Sequence, residues 1–334
     1  MQVRLTHIDG KLPNLALMKL AAWHRERGDD VHLTRDVERG FWEPEYDRVY
    51  GSCIFAFSRG RLARFQTAWP EAIVGGTGSF STATVEETTG DYERYDYSVY
   101  PDFRASIGFT QRGCRLKCKF CVVPEKEGKP RSVNTIDGLW RGDPHPKHLH
   151  LLDNDFFGQV EWRERIAEIR DGGFKVCFNQ GINVRLVNEE IAAALASVEY
   201  RDDQFQKRRL YMAWDNLRDE KVFFSGVDKL EAAGIPGKHM MVFMLVGFDP
   251  TETMERIMYR FERMAERGLL PYPMVYDRSR KDLREFARWV TTGLYRDESI
   301  PFSKYNVSAK PRIIGQFPIF AEVTECPPIQ PAAG

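Results

Sequence analysis

Strand-like and helix-like patterns alternate along the chain and predict an α/β fold. Residues 1–80 hold one series of short apolar strands separated by helices, and residues 101–292 hold a second series of six strand–helix units. The first series predicts a Rossmann-like domain with a parallel sheet, and the second predicts a partial (β/α)6 barrel. Polar residues follow the strands of the second series, where catalytic and binding residues collect in such barrels.

The elements of the first series follow from apolar periodicity and from the residues that interrupt it. A helix is predicted over residues 12–27 because its leucines recur on one face, and Gly28 can end it. Residues 62–68 predict a second, shorter helix. Strands are predicted at 3–8, 30–33, 48–55 and 72–74.

The second series repeats a strand followed by a helix, and glycine follows several of the helices. The predicted strands are 104–109, 147–152, 174–178, 209–214, 239–246 and 273–276. The predicted helices are 160–170, 189–197, 221–233, 254–267 and 282–290. The segments that follow these strands are therefore the first place to look for a functional site.

These patterns divide the chain into four segments. The Rossmann-like domain covers residues 1–80, and the acidic, tyrosine-rich stretch at 81–100 is predicted to be a linker. The barrel covers residues 101–292. Residues 293–334 are a C-terminal extension whose prolines exclude a long helix and whose aromatic residues could pack over the barrel. Its last residues are expected to be mobile.

The composition limits the location and the partners of the protein. Lys and Arg number 48 and Asp and Glu number 48, so the net charge is zero and gives no general attraction to nucleic acid or membranes. The N-terminus lacks the apolar core of a secretion signal, and no apolar run reaches the length of a membrane span. These features predict a cytoplasmic protein without a membrane partner. The sequence indicates no oligomeric state.

Three cysteines at C-x3-C-x2-C spacing, Cys114, Cys118 and Cys121, are the strongest functional signal. Thiolates at this density suit zinc or an iron–sulfur cluster. A structural zinc site takes four protein ligands, and no partner pair follows at zinc-finger spacing. Three cysteines fit a four-iron cluster whose fourth iron is open to a substrate or cofactor. Three loop cysteines that bind no metal are the alternative.

The other cysteines and the nearby histidines give weaker signals. Cys53 and Cys177 lie in apolar strands and are predicted to be core residues, and Cys326 lies in a proline-rich tail. His145, His148 and His150 alternate with Pro or Leu, which favours a structural role over metal binding. None of these residues extends the cysteine motif.

The cysteine spacing, with Phe120 directly before the third cysteine, resembles the signature of radical S-adenosylmethionine (SAM) enzymes. The resemblance implies a [4Fe–4S] cluster on the three cysteines, with SAM bound to the fourth iron. It also implies an external electron donor of the flavodoxin or ferredoxin type. Reductive cleavage of SAM would give a 5′-deoxyadenosyl radical, which abstracts hydrogen from a substrate. The resemblance covers residues 100–292 and implies a barrel of the radical SAM type.

The same resemblance implies SAM contacts from residues that follow the strands. Residues 247–252 are similar to the loop after the fifth strand of the family, although Asp249-Pro250-Thr251 replaces its Pro-Gly pair. The Asp153-Asn154-Asp155 run follows the second strand, where the family holds the amino group of SAM; a helix cap is the alternative. Arg185 could clamp a carboxylate or form a surface ion pair. The predicted cofactor-binding residues are Phe120, Asp153, Asn154, Asp155, Gln180, Arg185, Asp215, Gly247 and Glu252.

The N-terminal domain resembles the cobalamin-binding domain of one radical SAM subclass. That subclass carries a D-x-H-x-x-G motif whose histidine binds cobalt, and this hexapeptide does not occur here. His7-Ile8-Asp9-Gly10 has the wrong order. We therefore expect a degenerate domain that does not bind cobalamin through a histidine. Gly75-Gly76-Thr77-Gly78 could cradle a phosphate or form a turn.

The substrate class stays open between two alternatives. Basic residues around the cysteines could hold the phosphates of a nucleotide or of a nucleic-acid base substrate, or could simply be solvated. These residues are Arg112, Arg115, Lys117, Lys119, Lys126, Lys129 and Arg131. The second alternative is a peptide or a small metabolite. A non-enzymatic protein with a structural zinc or iron–sulfur site is a third, separate hypothesis.

Overall fold

The computed structural model describes residues 1–90, 92 and 94–305. The described chain forms two compact units, residues 1–104 and the residues from 105 onward. The part of the predicted C-terminal extension after residue 305, with Cys326, lies outside the described residues. Both units are mixed α/β with parallel sheets, as the alternating pattern predicts.

The first unit has one four-stranded sheet with the strand order β2-β1-β3-β4 and only parallel pairs. Its elements are β1 (Gln2–His7), α1 (Leu15–Arg25), β2 (Asp30–Thr34), β3 (Arg48–Ser52), α2 (Arg59–Ala68), β4 (Ile73–Gly75) and α3 (Glu86–Thr89). Helix α1 begins where Asn14 accepts the backbone N–H of Leu17 at 3.1 Å. Each strand matches its predicted position to within three residues.

Both faces of this sheet are covered by apolar side chains. Val3 and Leu5 pack against Leu17 and Ala21 of α1, and a second cluster around Phe65 covers the other face. Gly51 in β3 is required here, because a Cβ would lie 2.4 Å from the ring of Phe65. Strand β1 is buried on both faces and still alternates, because Val3 and Leu5 take turns with Arg4 and Thr6, which are fully buried as well.

The segment that the sequence predicts to be a linker contacts this unit. The Tyr100 hydroxyl lies 2.9 Å from His7 Nδ1, and the Asp96 N–H donates to the Met18 carbonyl. Burial lowers the pKa of His7 to about 4, so this histidine is neutral at pH 7. The acidic, tyrosine-rich segment thus packs against β1 and α1 through its polar groups.

The second unit contains two larger parallel sheets, with the orders β10-β9-β8-β5 and β11-β12-β13. Its strands are β5 (Ser106–Gly108), β6 (Gln111–Arg112), β7 (Arg131–Ser132), β8 (His148–Leu151), β9 (Lys175–Phe178), β10 (Glu199–Tyr200), β11 (Leu210–Ala213), β12 (Met240–Val246) and β13 (Leu270–Val275). Its helices are α4 (Val123–Glu127), α5 (Ile136–Leu139), α6 (Trp162–Asp171), α7 (Glu189–Ala196), α8 (Glu220–Ala232), α9 (Met254–Glu266) and α10 (Lys281–Thr291).

All strands and helices predicted for both series are present, with ends that differ by at most three residues. One large core joins the sheets to their helices, and it includes Leu149, Val176, Met212 and Val242 from β8, β9, β11 and β12. The opposite faces of β9, β11, β12 and β13 carry a smaller cluster around Tyr211. Six short elements of the described chain have no signal in the apolar pattern: α3, α4, α5, β6, β7 and β10.

Candidate functional site

A cavity of about 770 Å³ lies at the carboxyl ends of β9, β11 and β12, in the size range of small-molecule sites. Residues 180–185 after β9, 215–219 after β11 and 248–250 after β12 line it, together with the cysteine loop. Parallel strands bring their carboxyl ends to one edge, so polar residues far apart in the sequence meet here. The cavity lies where the order of elements predicts a site.

All three cysteines of the C-x3-C-x2-C motif line this cavity and are half-buried. Burial raises the pKa of the Cys114 and Cys121 thiols above the usual range. The Cys121 N–H donates to the Cys118 carbonyl at 3.0 Å, so the last part of the motif is a tight turn. Within the described ranges, no three His, Cys, Asp or Glu side chains are already grouped as they would be around a metal ion.

A two-stranded antiparallel ladder closes the base of the cysteine loop. It pairs β6 with β7, residue Gln111 opposite Ser132. Gly113 follows β6 with φ +84°, and a Cβ there would lie 2.3 Å from the Lys129 carbonyl oxygen. The carboxylate of Glu127 accepts the Gly113 N–H at 3.0 Å and a bond from Arg112 at 3.1 Å. The β6–β7 pairing and the Glu127 carboxylate therefore hold the two ends of the cysteine loop together.

Gln111 and Asp155 join the cysteine loop to the end of β8. The fully buried Gln111 amide donates to the Arg112 and Gly113 carbonyls, each at 2.7 Å, and accepts the Asp155 N–H at 3.1 Å. Asp155 in turn binds the Arg115 guanidinium through both oxygens, at 2.6 Å and 2.8 Å. The sequence analysis missed Gln111, whose only signal is a polar residue beside the motif.

Asp153 occupies a buried position directly beneath the loop. Its carboxylate accepts the N–H groups of Thr110 at 2.7 Å and Gln111 at 3.1 Å, and also the Thr110 hydroxyl. Burial nevertheless raises its pKa to about 7. Asp153 therefore supports the cysteine loop from below and does not line the cavity.

Four other predicted residues lie in the cavity wall: Asn154, Gln180, Arg185 and Asp215. Asn154 donates to Glu127 at 3.0 Å, which connects it to the cysteine loop. Arg185 donates to Asp219 at 2.9 Å, and its Nη2 lies 4.0 Å from Cys118 Sγ. Burial raises the pKa of Asp215, which accepts the Leu245 N–H at 2.9 Å. Cationic and amide groups thus lie next to the thiols.

The loop after β12 is held by a buried arginine that the sequence analysis missed. Arg260 on α9 donates to the Trp214 carbonyl at 2.7 Å and to the Leu245 carbonyl at 2.9 Å, and it pairs with Glu252 at 2.5 Å. The Gly247 N–H lies 3.5 Å from the same carboxylate. An arginine on the apolar face of α9, beside Ile257 and Phe261, is the sequence signal that could have found it.

An aromatic series connects the cysteine loop to the loop after β12. The Phe120 ring meets the Phe248 ring edge to face at 5.5 Å, and Phe248 meets Tyr276 at 5.0 Å. Phe120 and Phe248 both line the cavity. They give an apolar part to a wall that also carries amide and carboxylate groups, as expected for a ligand with one flat apolar portion.

The structure thus brings together most of the residues that the sequence predicts. Those that line the cavity are Cys114, Cys118, Phe120, Cys121, Asn154, Gln180, Arg185, Asp215 and Glu252. Asp153, Asp155 and Gly247 do not line it and lie behind its wall. Of the basic residues in the motif region, Lys117 and Lys119 line the cavity, whereas Arg112 and Arg115 pair with Glu127 and Asp155.

The chain matches no protein-family model, no curated protein and no solved structure. No helix in the described part of the chain is long and apolar enough to cross a membrane. The residues of the site itself are therefore what indicates its chemistry.

Proposed function

We propose that this chain is a radical SAM enzyme that binds a [4Fe–4S] cluster at Cys114, Cys118 and Cys121. The proposal rests on one main observation. The three thiols line the same cavity as the polar residues that follow β9, β11 and β12. Soft thiols are the donor set that iron–sulfur clusters take, and three of them leave one iron for SAM. Because the thiols are not yet grouped around a common point, cluster binding would turn their side chains toward one another.

Several residues of the cavity fit a bound SAM molecule. The bound cluster and SAM would supply a 5′-deoxyadenosyl radical for hydrogen abstraction. Asn154 and Glu252 offer hydrogen-bonding groups to the amino-acid portion of SAM, and Phe120 with Phe248 offers an apolar surface to a flat base. Arg185, close to Cys118, would stabilise the negative charge of a thiolate-ligated cluster. Asp153 and Asp155 would act as positioning residues for the loop.

The topology of both units supports the finer assignment. The six main strands of the second unit alternate with helices and pair in parallel within two separate sheets, β5-β8-β9 and β11-β12-β13, which would be the two parts of a partial (β/α)6 barrel of the radical SAM type. The first unit has the strand order 2-1-3-4, which is that of one doubly wound Rossmann-like class. We propose that it is a degenerate cobalamin-domain fold that serves as a scaffold or substrate platform.

For the substrate, we favour a nucleotide or a nucleic-acid base. Lys117, Lys119 and Arg256 line the cavity, and no carboxylate is bonded to any of the three among the described residues. Asp249 also lines the cavity, and Lys119 and Arg256 help to lower its pKa, so the three exposed cations are only partly compensated and suit a phosphate-bearing substrate. A peptide or small-metabolite substrate is the alternative, and it predicts turnover that these cations do not affect.

The proposal is tested by anaerobic reconstitution with iron and sulfide. We expect about four irons and four sulfides per chain, and 5′-deoxyadenosine when dithionite, or a flavodoxin or ferredoxin, and SAM are added. Cys118→Ala should abolish 5′-deoxyadenosine formation, whereas Cys177→Ala, at a cysteine buried in the core, should retain it. A colourless protein with stoichiometric zinc would show a structural metal site instead and would overturn the proposal.

A further inference from the structure

Two aromatic side chains in the first unit are almost fully exposed. Phe41 and Trp42 are the central residues of a turn and are 88% and 90% exposed. Their rings meet edge to face with centroids 4.7 Å apart. Leaving two large aromatic rings in water is unfavourable, so a pair displayed in this way indicates a partner.

The turn that carries these rings is held rigidly from below. Glu43 accepts the Gly40 N–H at 2.9 Å and binds Arg4 Nε at 2.6 Å. Arg4 is fully buried and also donates to the Asp36 carbonyl at 3.0 Å. A buried arginine from the centre of the sheet therefore fixes the position of the exposed turn. A ligand that binds there meets a preorganised surface.

The turn lines a cleft of about 940 Å³. Arg35 and Arg61 are two of the arginines that line this cleft as well. Arg35 donates to the Gly10 carbonyl at 2.6 Å. Arg61 donates to the Ile8 carbonyl at 2.9 Å and to the Arg35 carbonyl at 2.8 Å. Over residues 1–90, 92 and 94–305, neither guanidinium is paired with a carboxylate. The backbone carbonyls therefore position both groups, and no ion pair among these residues compensates their positive charge.

The remaining charges of the cleft are largely compensated. Arg64 pairs with Glu38 and Arg4 pairs with Glu43, both within the cleft. Arg39 pairs with Glu45 outside it. Asp30 and Asp36 also line the cleft, and Asp30 accepts a bond from Gln2. The two aspartates offset part of the positive charge, and Arg35, which follows β2, and Arg61, on α2, are the arginines of the cleft that no carboxylate binds among the described residues.

We infer that this cleft binds single-stranded nucleic acid. Bases would stack on Phe41 and Trp42, and Arg35 with Arg61 would hold a backbone phosphate. Phe41 and Trp42 are the only large exposed hydrophobic residues in the described wall of the cleft, which suits flat bases better than the aliphatic side chains of a protein partner. The inference rests on the proposed function and deepens it, because it makes the substrate a nucleic-acid strand that the first unit binds.

The test is fluorescence anisotropy of the full chain with labelled 12-nucleotide DNA and RNA strands of mixed sequence, across a range of salt concentrations. Phe41→Ala with Trp42→Ala should weaken binding at least about fivefold for each lost stacking contact. Arg35→Gln with Arg61→Gln should reduce the slope of log affinity against log salt by about 0.7 for each lost phosphate contact. The matched controls are Phe80→Ala and Arg94→Gln, which are exposed and lie outside the cleft.

The outcomes separate this inference from the proposed function. Absence of binding at low salt, or equal losses in the cleft variants and the controls, would overturn the inference even if the chain binds its cluster and cleaves SAM. Cleft-dependent binding by a chain that assembles no iron–sulfur cluster would support the inference and overturn the proposed function. Iron content and the thermal midpoint are measured for every variant, so that misfolding is recognised.

Discussion

Arg115 in the cysteine loop binds both carboxylate oxygens of Asp155, with Nε 2.6 Å from Oδ2 and Nη2 2.8 Å from Oδ1. Asp155 follows β8 and is buried, whereas Arg115 remains partly exposed. A bidentate pair of this kind fixes both distance and orientation. It joins the loop that carries the three thiols to the end of a core strand, so the position of the cysteines depends on it.

Asp155→Asn should destabilise the second unit by about 1–3 kcal/mol, because it removes a charge-assisted pair while leaving the arginine access to water. The free energy of unfolding is measured by urea denaturation. Asp171→Asn is the matched control: Asp171 makes a similar contact to Arg170, but at an exposed position. The control should lower stability much less, because an ion pair that stays in water contributes little. Equal losses would contradict a special role for the Arg115–Asp155 pair.

Gly113→Ala should damage the base of the cysteine loop more than Gly128→Ala. Both glycines have positive φ, so both substitutions cost about 1–2 kcal/mol of backbone strain. Only at Gly113 does the new Cβ meet backbone, 2.3 Å from the Lys129 carbonyl oxygen; at Gly128 nothing lies within 4 Å. We expect a larger fall in the thermal midpoint and a loss of reconstituted iron for Gly113→Ala alone. A similar result for both variants would show that strain, and not the clash, decides.

Arg260→Met should cost about 3–5 kcal/mol of stability, because it leaves the Glu252 carboxylate and two strand-end carbonyls without their buried partner. Arg263→Met on the same helix is the control, since Arg263 is partly exposed and pairs with Glu220 and Glu266. Arg263→Met should cost much less stability than Arg260→Met, because ion pairs in water contribute little. Urea denaturation of the two variants measures the difference. A small effect of Arg260→Met would mean that water replaces the guanidinium.

Two buried histidines, His150 and His7, should lower the stability of the protein as the pH decreases from about 6.5 to about 4, whereas Asp153, whose pKa is raised to about 7, should oppose them. Burial lowers the pKa of His150 to about 4, whereas it is 6.5 in the unfolded chain. In this interval the unfolded state binds more protons, so each such histidine lowers stability by about 1.4 kcal/mol per pH unit. His7 behaves in the same way in the first unit.

Replacing His150 with Gln should remove the part of this pH dependence that His150 contributes. Chemical denaturation at several pH values measures the slope of stability against pH. His32→Gln, at an exposed histidine, is measured as the control. If the slope for His150→Gln equals that of the unmodified chain, His150 titrates normally in the folded protein.

The sequence by itself determined the order of the elements and the location of the candidate site. Apolar periodicity and glycine positions are local signals, and they predicted every main strand and helix within three residues. Because parallel strands present their carboxyl ends at one edge, chain order alone also predicted that the cysteine loop and the polar strand ends would share a cavity.

Only the tertiary structure decided which polar residues line the cavity and which support it. Asp153 and Asn154 are neighbours in the sequence, yet one is buried beneath the cysteine loop and the other lines the cavity. Gln111 and Arg260 find their partners 44 and 46 residues away, a separation that leaves no periodic signal. Arg4, beneath the Phe41–Trp42 turn, likewise has its partners Asp36 and Glu43 far away in the sequence. The physical reason is that a buried polar side chain must find its hydrogen-bond partners in space, and the packing of the strands and helices decides which groups those are.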